Sequence, residues 1–212
     1  MEIIVKNLNK TFNKHSVLKN VNLKFNSGNI YGLYGRNGSG KSVFLKILCG
    51  FYLPTDGEIL FDGVNLSKNN KLPDNLGALI EKPSFFPDLT GFENLKLLAD
   101  IKKDIGVKEI ENTLKLVNLF SEKDKKYKEY SLGMKQKLGI AQAIMENQSI
   151  IILDEPFNGV ENKSVEKLIN YFVQQKNNDK LIIISTHIKE DLNKLTNNIL
   201  FFEDGQVKFE NK

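Results

Sequence analysis

The sequence predicts an α/β fold in which a largely parallel β-sheet carries helices on both faces. Short aliphatic runs alternate along the chain with stretches of helical periodicity, and this alternation is typical of strand–helix–strand units. The run at residues 150–153, Ile-Ile-Ile-Leu, has no polar position. Such a run is expected of a central parallel strand that is buried on both faces.

Length and composition fit a folded globular protein. The chain has 212 residues, of which 41% are hydrophobic and 26% are charged, and a chain of this length can bury about 70% of the surface that it exposes when unfolded. Intrinsic disorder and a disulfide scaffold are excluded, and the single cysteine, Cys49, favours a reducing compartment. The strongest apolar runs are far shorter than the roughly 18 residues that a membrane span needs, and no signal-peptide pattern is visible.

The net charge of +4 comes almost entirely from lysine, because Arg36 is the only arginine. Bidentate reading of nucleic-acid bases depends on arginine, so the composition argues against a nucleic-acid partner. We interpret most of the lysines as a solvated surface. A preference for phosphates or for an anionic membrane face is the alternative interpretation.

Eight strands and six helices are predicted from the periodicity of apolar residues and from turn residues. The strands cover residues 3–8, 21–25, 29–34, 58–61, 76–80, 150–153, 181–185 and 199–202. The helices cover residues 41–48, 94–101, 107–119, 132–145, 164–175 and 189–195. Turn residues on both sides of strand 58–61 predict a small antiparallel sheet at that point.

The stretch from about residue 90 to residue 144 contains amphipathic helices and no convincing strand. In the second of these helices Ile110, Leu114 and Val117 recur at helical spacing. We therefore predict one domain over residues 1–212. Its core covers about residues 1–82 and 146–212, and an all-helical subdomain is inserted at about residues 83–145.

Residues 35–42 match the phosphate-binding pattern G-x-x-x-x-G-K-S/T at every fixed position. The flanking strand and helix are those that a P-loop NTPase requires. Glycines let backbone N–H groups approach phosphates closely, and the following helix directs its positive dipole end to the same anion. Lys41 is expected to neutralise phosphate oxygens and Ser42 to hold Mg²⁺. The nucleotide-binding residues predicted in this loop are Gly35, Asn37, Gly38, Ser39, Gly40, Lys41 and Ser42.

Two adjacent acids, Asp154 and Glu155, follow the apolar run at residues 150–153. An open α/β sheet places its ligand at the carboxyl ends of its strands. Asp154 is therefore predicted to bind Mg²⁺, and Glu155 to orient or deprotonate the water that attacks the γ-phosphate. The alternative is that both acids cap the following helix, but adjacent carboxylates at the end of a buried strand are costly without a cation.

The segment at residues 130–137, Tyr-Ser-Leu-Gly-Met-Lys-Gln-Lys, opens a predicted helix. It resembles the L-S-G-G-Q signature of the ATP-binding subunits of ABC transporters, and the order of motifs is similar to that family over essentially the whole chain. The variant found here resembles the bacitracin/lantibiotic-type branch. The resemblance implies a RecA-like ABC ATPase core, in which Ser131 and Gly133 face the γ-phosphate of an ATP that a second subunit holds.

The resemblance also implies site residues outside the P-loop. Phe12 and Val17 are expected beside the adenine of ATP, with a position in the core as the alternative for Phe12. His187 is expected to contact the γ-phosphate as a catalytic residue. Its neighbours Ser185 and Thr186 are placed to hold the tautomer of its ring.

Glu81 stands where the family usually has a glutamine. Because a carboxylate binds metal more strongly than an amide does, Glu81 is predicted to be a catalytic and metal-binding residue that links the ATP site to a membrane partner. Phe85 and Phe86 are predicted to form part of the docking surface, with the subdomain core as the alternative. Val160 and Glu161 depart from the N-G-L-D sequence that is common in the family's D-loop.

The resemblance therefore implies the Mg²⁺-dependent ATPase subunit of an ABC exporter, which converts ATP and water to ADP and phosphate and works with a separate polytopic membrane permease. The branch suggests an antimicrobial peptide or a drug as the exported substrate. A second ATP-binding subunit completes each site, with a homodimer preferred over a heterodimer. We expect a cytoplasmic protein on the inner face of the plasma membrane. The alternatives are a soluble ABC ATPase without a transport role and a nucleotide-binding regulatory module with little turnover.

Overall fold

Two β-sheets and six α-helices form the part of the chain that the computed structural model describes, residues 1–65, 73 and 75–209. The strands are β1 (Glu2–Phe12), β2 (His15–Asn26), β3 (Asn29–Tyr34), β4 (Asp56–Phe61), β5 (Val64–Asn65), β6 (Leu76–Leu79), β7 (Ile150–Asp154), β8 (Leu181–Thr186), β9 (Asn198–Glu203) and β10 (Gln206–Phe209). The helices are α1 (Lys41–Leu48), α2 (Gly91–Lys102), α3 (Val107–Leu116), α4 (Leu132–Ile144), α5 (Asn162–Gln175) and α6 (Lys189–Leu195).

Every predicted strand and helix is present, and β3, α1 and α6 have the predicted bounds. The short strands β5 and β10 were not predicted. Helix α3 ends three residues before the predicted bound of 119, because Asn118 adopts a left-handed φ of +55°. The N–H of Leu119 then bonds back to the carbonyl oxygen of Leu114 (2.8 Å), which is a common way to end a helix.

The main sheet has six strands in the order β10-β9-β3-β8-β7-β6. Neighbouring strands in the sheet are parallel from β9 to β6, whereas β10 is antiparallel to β9. All five residues of β7 are buried, as predicted for a strand covered on both faces. The register pairs Tyr34 with Thr186 and Asp154 with Ser185, so the carboxyl ends of β3, β8 and β7 meet at one edge of the sheet.

A second sheet has four antiparallel strands in the order β2-β1-β4-β5. A two-residue turn joins β1 to β2, and both of its residues, Asn13 (φ +43°) and Lys14 (φ +71°), are left-handed, which suits a tight hairpin. Helix α1 packs between the two sheets through Phe44, Leu45 and Leu48, which are fully buried. The first turn of α1 is thereby fixed at the edge where the strands of the main sheet end.

The helices α2, α3 and α4 follow β6 in the chain and precede β7. Helix α4 packs closely on the main sheet, since a Cβ on Gly77 in β6 would lie 1.8 Å from the carbonyl oxygen of Ala143. Residues of α2, α3 and α4 share one buried apolar cluster with β7 and β8. The subdomain boundaries near residues 82 and 146 stay a prediction. Within the described ranges, no helix is both long and apolar enough to cross a membrane.

Candidate functional site

The loop at residues 35–42 joins β3 to α1. Gly38 (φ +81°) and Gly40 (φ +104°) have left-handed backbone, which a residue with a Cβ rarely adopts. Gly35 is required for another reason, because a Cβ there would lie 2.3 Å from the carbonyl oxygen of Phe202. No side chain caps the first turn of α1, so its N–H groups are available to an anion.

Lys41 is buried inside this loop. Its Nζ donates hydrogen bonds to the carbonyl oxygens of Gly35 (2.7 Å) and Arg36 (3.2 Å). Burial lowers the pKa of Lys41, and the negative charges of Glu155 and Asp154 oppose this shift. A further negative charge in the loop would therefore stabilise the ammonium form.

A pocket of about 480 Å³ opens beside the loop. It is lined by Val17, Asn37, Gly38, Ser39, Gly40, Lys41, Ser42, Val43 and Glu155. The sequence predicts all of these residues except Val43 for the nucleotide site. Two polar atoms of the lining residues, Ser39 Oγ and Glu155 Oε1, are buried without a hydrogen-bond partner. A second pocket, of about 550 Å³, is lined by Gly35, Arg36 and His187 among others.

Asp154 lies at the carboxyl end of β7 and is buried. Its Oδ1 accepts a hydrogen bond from the Ser185 hydroxyl of β8, as the register of these strands requires. The backbone N–H of Glu155 also points to Ser185, at 3.1 Å from both its Oγ and its carbonyl oxygen. Ser185 therefore fixes the positions of both acids, while the second carboxylate oxygen of Asp154 has no bond to Ser185.

Glu155 and His187 form a direct pair. Nδ1 of His187 lies 2.9 Å from Oε2 of Glu155, and an ionised carboxylate there favours the tautomer that carries its proton on Nδ1. The expectation that Ser185 and Thr186 hold this tautomer is wrong, because their hydroxyls have other partners. The Ser185 hydroxyl donates to Asp154, and that of Thr186 accepts from the N–H of Ile188 (3.1 Å).

Val17 and Phe12 differ in their relation to the pocket. Val17 lines it, and its carbonyl oxygen packs against Gly40. Phe12 is 37% exposed and packs edge-to-face on Tyr52, with ring centroids 5.5 Å apart, while Lys10 Nζ lies 4.7 Å from its centroid. The structure therefore brings Val17 but not Phe12 to the pocket, and Phe12 is not a core residue either.

Glu81 is exposed and lies just after β6, with a left-handed φ of +62°. Its Oε1 lies 2.5 Å from Nζ of Lys46, one turn of α1 beyond Ser42. The same Nζ lies 5.2 Å from the ring centroid of Tyr52, and the bond to Glu81 is the main cause of the raised pKa of Lys46. Glu81 is therefore held beside the P-loop helix, and it does not line the pocket that contains Ser42.

Ser131 and Gly133 lie at the start of α4 and line neither of the two pockets. The Ser131 hydroxyl caps the helix by accepting from the N–H of Met134 (3.2 Å). A Cβ on Gly133 would lie 2.3 Å from the carbonyl oxygen of Gly159. The signature segment is thus separate from the phosphate loop of its own chain and packs against the turn that follows Glu155.

Few side chains of the site are placed to bind a metal ion. Among residues 1–65, 73 and 75–209, no group of three or more His, Cys, Asp or Glu side chains is arranged to hold a metal. Mg²⁺ commonly binds through one or two carboxylates together with substrate phosphates and water. A carboxylate oxygen of Asp154 and the Ser42 hydroxyl fit that donor set, whereas the carboxylate of Glu81 is engaged with Lys46.

The sequence profile described as "ABC transporter" matches residues 18–158, which is more than half of the chain. The chain belongs to the ABC transporter family. Membership confirms the predicted fold class, the predicted ATP binding and the predicted ATPase class. ATP-binding subunits of this family work with membrane permeases and dimerise.

The sequences of three relatives match this ABC cassette over nearly its whole length. It is 39% identical over 99% of its length to the uncharacterized ABC transporter ATP-binding protein YybJ of Bacillus subtilis (strain 168), of which 96% is covered. It is 36% identical over 98% of its length to the bacitracin transport ATP-binding protein BcrA of Enterococcus faecalis, of which 68% is covered. Over 97% of its length it is 34% identical to the lantibiotic transport ATP-binding protein SrtF of Streptococcus pyogenes, of which 89% is covered.

Solved structures show the same fold. A dimeric post-hydrolysis state of the ATP-binding cassette MJ0796 bound to ADP and Pi superposes with a TM-score of 0.88 at 27% identity, covering 98% of this chain and 97% of that one. A further dimeric structure of MJ0796 has a TM-score of 0.87 at 28% identity, covering 97% and 96% of the two chains.

Sequence reasoning missed several residues that hold the site of the ABC cassette together. Lys46 binds Glu81, Ser185 binds Asp154, and the side chain of Gln136 donates to the carbonyl oxygen of Glu155 (3.0 Å). Gln136 lies inside the signature segment, but nothing in its local pattern indicates a bond to a residue 19 positions away. These bonds depend on how the elements pack.

Proposed function

We propose that this cassette hydrolyses MgATP to drive export by a separate membrane permease. The observation that carries the proposal is the Glu155–His187 pair, 2.9 Å apart, with Glu155 in the pocket that Lys41 and Ser42 also line. A phosphate loop, a base and a residue that orients the base are the parts that γ-phosphate hydrolysis needs.

The P-loop residues bind and orient the triphosphate in this proposal. Backbone N–H groups of the loop and of the first turn of α1 donate to phosphate oxygens. Lys41, whose ammonium group is bonded to two loop carbonyls and favoured by the charges of the two acids, neutralises charge on the terminal phosphates. Val17 packs beside the adenosine part, and Phe12 reaches the adenine only with a change of its packing on Tyr52.

Asp154 and Ser42 are the residues that we propose for Mg²⁺. The bound ion would supply charge neutralisation at the phosphates. The bond from Ser185 leaves the second carboxylate oxygen of Asp154 for a ligand, which supports this assignment. Glu81 is proposed as an additional ligand, and it would have to separate from Lys46 to serve as one.

Glu155 acts on the attacking water. Its Oε1 is buried without a partner, and its Oε2 bonds to His187, so one oxygen is free to accept a hydrogen bond from water while the other keeps the carboxylate oriented. As water attacks the γ-phosphate, its proton passes to this carboxylate, the bond to the β-phosphate oxygen breaks, and ADP and phosphate are released. His187 then lies at the terminal phosphate.

A second copy of the chain completes each site in the proposal. Ser131 and Gly133 do not line the pockets of their own chain. They lie at the start of α4, where the N–H groups that the Ser131 cap does not engage suit a phosphate. A partner cassette in head-to-tail orientation would present them to the other nucleotide. Because every predicted catalytic position is filled, two identical chains would form two competent sites.

The permease is proposed to dock in an apolar groove of about 630 Å³ beside the loop that follows β6. Phe86 is 60% exposed at this groove, next to Leu97 and Phe51, which are also exposed. Phe85 instead packs against Tyr127, with ring centroids 5.3 Å apart. Ile80 and Lys82, which flank Glu81 in the chain, also line the groove. The occupant that we propose is a short amphipathic helix of the permease, because an apolar groove accepts the apolar face of such a helix.

The transport names of BcrA and SrtF favour an exporter of an antimicrobial peptide or a drug at the inner face of the plasma membrane over a soluble ABC ATPase or a regulatory module.

Glu155→Gln is expected to lower the ATPase rate by about 100-fold or more while ATP still binds, because general-base catalysis contributes factors of that size. Glu166→Gln, at an exposed position of α5, is the matched control. A retained rate in Glu155→Gln would contradict the proposed chemistry, and failure to co-purify with a polytopic membrane protein would contradict the transport role.

A further inference from the structure

Two consecutive residues of α4, Gln136 and Lys137, form hydrogen bonds to the two ends of the turn at residues 155–161. At its start, Nε2 of Gln136 donates to the carbonyl oxygen of Glu155 (3.0 Å). At its end, Nζ of Lys137 donates to Oε1 of Glu161 (2.8 Å). Between these points the turn packs directly on the helix backbone, since a Cβ on Gly133 would lie 2.3 Å from the carbonyl oxygen of Gly159.

The two α4 side chains that make these contacts are buried. Gln136 and Lys137 are only 7% and 5% exposed, so neither side chain has an easy alternative partner in water. Lys137 lowers the pKa of Glu161 to about 2, and the Ser164 hydroxyl bonds to the same oxygen. Glu161 is therefore ionised at any physiological pH.

The backbone of Glu155 needs such support. Its φ of +48° is a left-handed conformation that costs a residue with a side chain free energy and persists only where the surroundings hold it. Ser185 holds its N–H, and Gln136 holds its carbonyl oxygen. Loss of the second bond would let the peptide rotate and move the carboxylate away from His187.

We propose that Gln136 is a positioning residue for Glu155, and that α4 thereby joins the base of one site to the signature segment of the same chain. This inference rests on the proposed role of Glu155 as the base. Because Ser131 and Gly133 open the same helix, a shift of α4 when its start engages the partner's nucleotide would pull on the carbonyl of Glu155. Each chain would then adjust its own base according to the nucleotide of the other site.

The test uses the full chain purified with its membrane partner and the variant Gln136→Met, which keeps the side-chain length and removes the donor. We expect kcat to fall about tenfold with KM for ATP changed less than about twofold, since a buried carbonyl loses its partner. Gln174→Met on the exposed face of α5 is the matched control and should leave both constants unchanged. An unchanged kcat in Gln136→Met would overturn the proposal.

A second background separates positioning from general loss of structure. In a Glu155→Gln chain there is no base to position, so adding Gln136→Met should leave the residual ATPase rate unchanged. An equal fall in both backgrounds would show that Gln136 is merely structural. If Glu155→Gln alone retains the rate, the proposed function fails rather than this inference. Gln136→Asn shortens the side chain by one methylene and moves the amide donor away from the carbonyl oxygen of Glu155. It gives the same comparison between the two backgrounds if Gln136→Met is unstable.

Discussion

His187 Nδ1 and Glu155 Oε2 lie 2.9 Å apart, although the two residues are 32 positions apart in the chain. They meet because β7 and β8 are parallel neighbours in register, so that Asp154 pairs with Ser185 and the residues that follow each strand end lie at the same edge. An imidazole that bonds to a carboxylate fixes where that carboxylate points. The orientation of the proposed base is thus set by the sheet.

Replacement of this histidine should lower the rate of hydrolysis. In His187→Ala the carboxylate of Glu155 loses its partner, and we expect kcat to fall about tenfold to 100-fold while nucleotide binding is retained. His15→Ala provides the matched control, because the other histidine is exposed at the start of β2. Steady-state ATPase assays and binding of a fluorescent ATP analogue measure the two effects. Equal activity of the two variants would remove His187 from the mechanism.

Glu81 should matter for coupling rather than for nucleotide binding. Its carboxylate is bound to Lys46 and is 62% exposed, so Glu81→Gln is expected to leave the Kd for ATP unchanged and to alter the amount of substrate transported per ATP hydrolysed. Transport in proteoliposomes and ATPase rate, measured on the same preparation, give this ratio. An unchanged ratio would defeat the coupling role.

Lys46→Met provides the companion to that experiment. Removing the ammonium frees Glu81 without changing it, and an ion pair this exposed is worth no more than about 1 kcal/mol. We therefore expect only a small loss of stability to urea, together with a change in the transport ratio that disappears when Glu81→Gln is already present. A change of equal size in both backgrounds would indicate that Lys46 acts through its packing on Tyr52.

The sequence predicts best what lies in contiguous segments. Gly38, Gly40 and Lys41 belong to one loop whose pattern carries its own geometry, and the structure has the flanking β3 and α1 at the predicted bounds. The apolar run at residues 150–153 and the two acids that follow it were predicted for the same reason. Local patterns suffice where the chain itself brings the groups together.

Contacts between distant segments were not predictable in this way. The partner of Glu81 is Lys46, 35 positions earlier, and the partner of Asp154 is Ser185, which depends on strand register. Phe12 is a residue whose predicted contact the structure does not show. Its sequence position suggests a place beside the adenine, whereas in the structure its ring contacts Tyr52 and Lys10. Side-chain packing between elements determines which of these residues meet. The sequence pattern within one strand or helix does not contain that information.

Phe86 should contribute to binding of the permease. Its ring is exposed at the groove beside α2, and truncation of an aromatic residue at the centre of an interface often costs tenfold or more in affinity. Phe86→Ala is therefore expected to weaken association with the membrane partner by about tenfold, with the ATPase rate of the isolated chain unchanged. Phe209→Ala, at an exposed position of β10, is the matched control. Association that survives Phe86→Ala would place the docking surface elsewhere.

Glu161 should stabilise the fold in a pH-dependent manner. Lys137 and Ser164 lower the pKa of Glu161 from its ordinary 4.5 to about 2 in the folded chain. An acid with a lowered folded pKa adds stability that is fully present above its unfolded pKa and is lost as the pH falls towards its folded pKa. Because 56% of this side chain is exposed, we expect a contribution of no more than about 1 kcal/mol at pH 6.

The difference in free energy of unfolding between the wild type and Glu161→Gln measures this contribution. In urea titrations it should be present at pH 6 and shrink progressively between pH 4.5 and pH 2, and Glu166→Gln is the matched control variant. Comparison within one pH removes the effect of the other carboxylates, since they titrate in both chains. A difference that stays constant down to the acid limit would mean that Lys137 holds the turn through its hydrogen bond alone, without any contribution from the charge of Glu161.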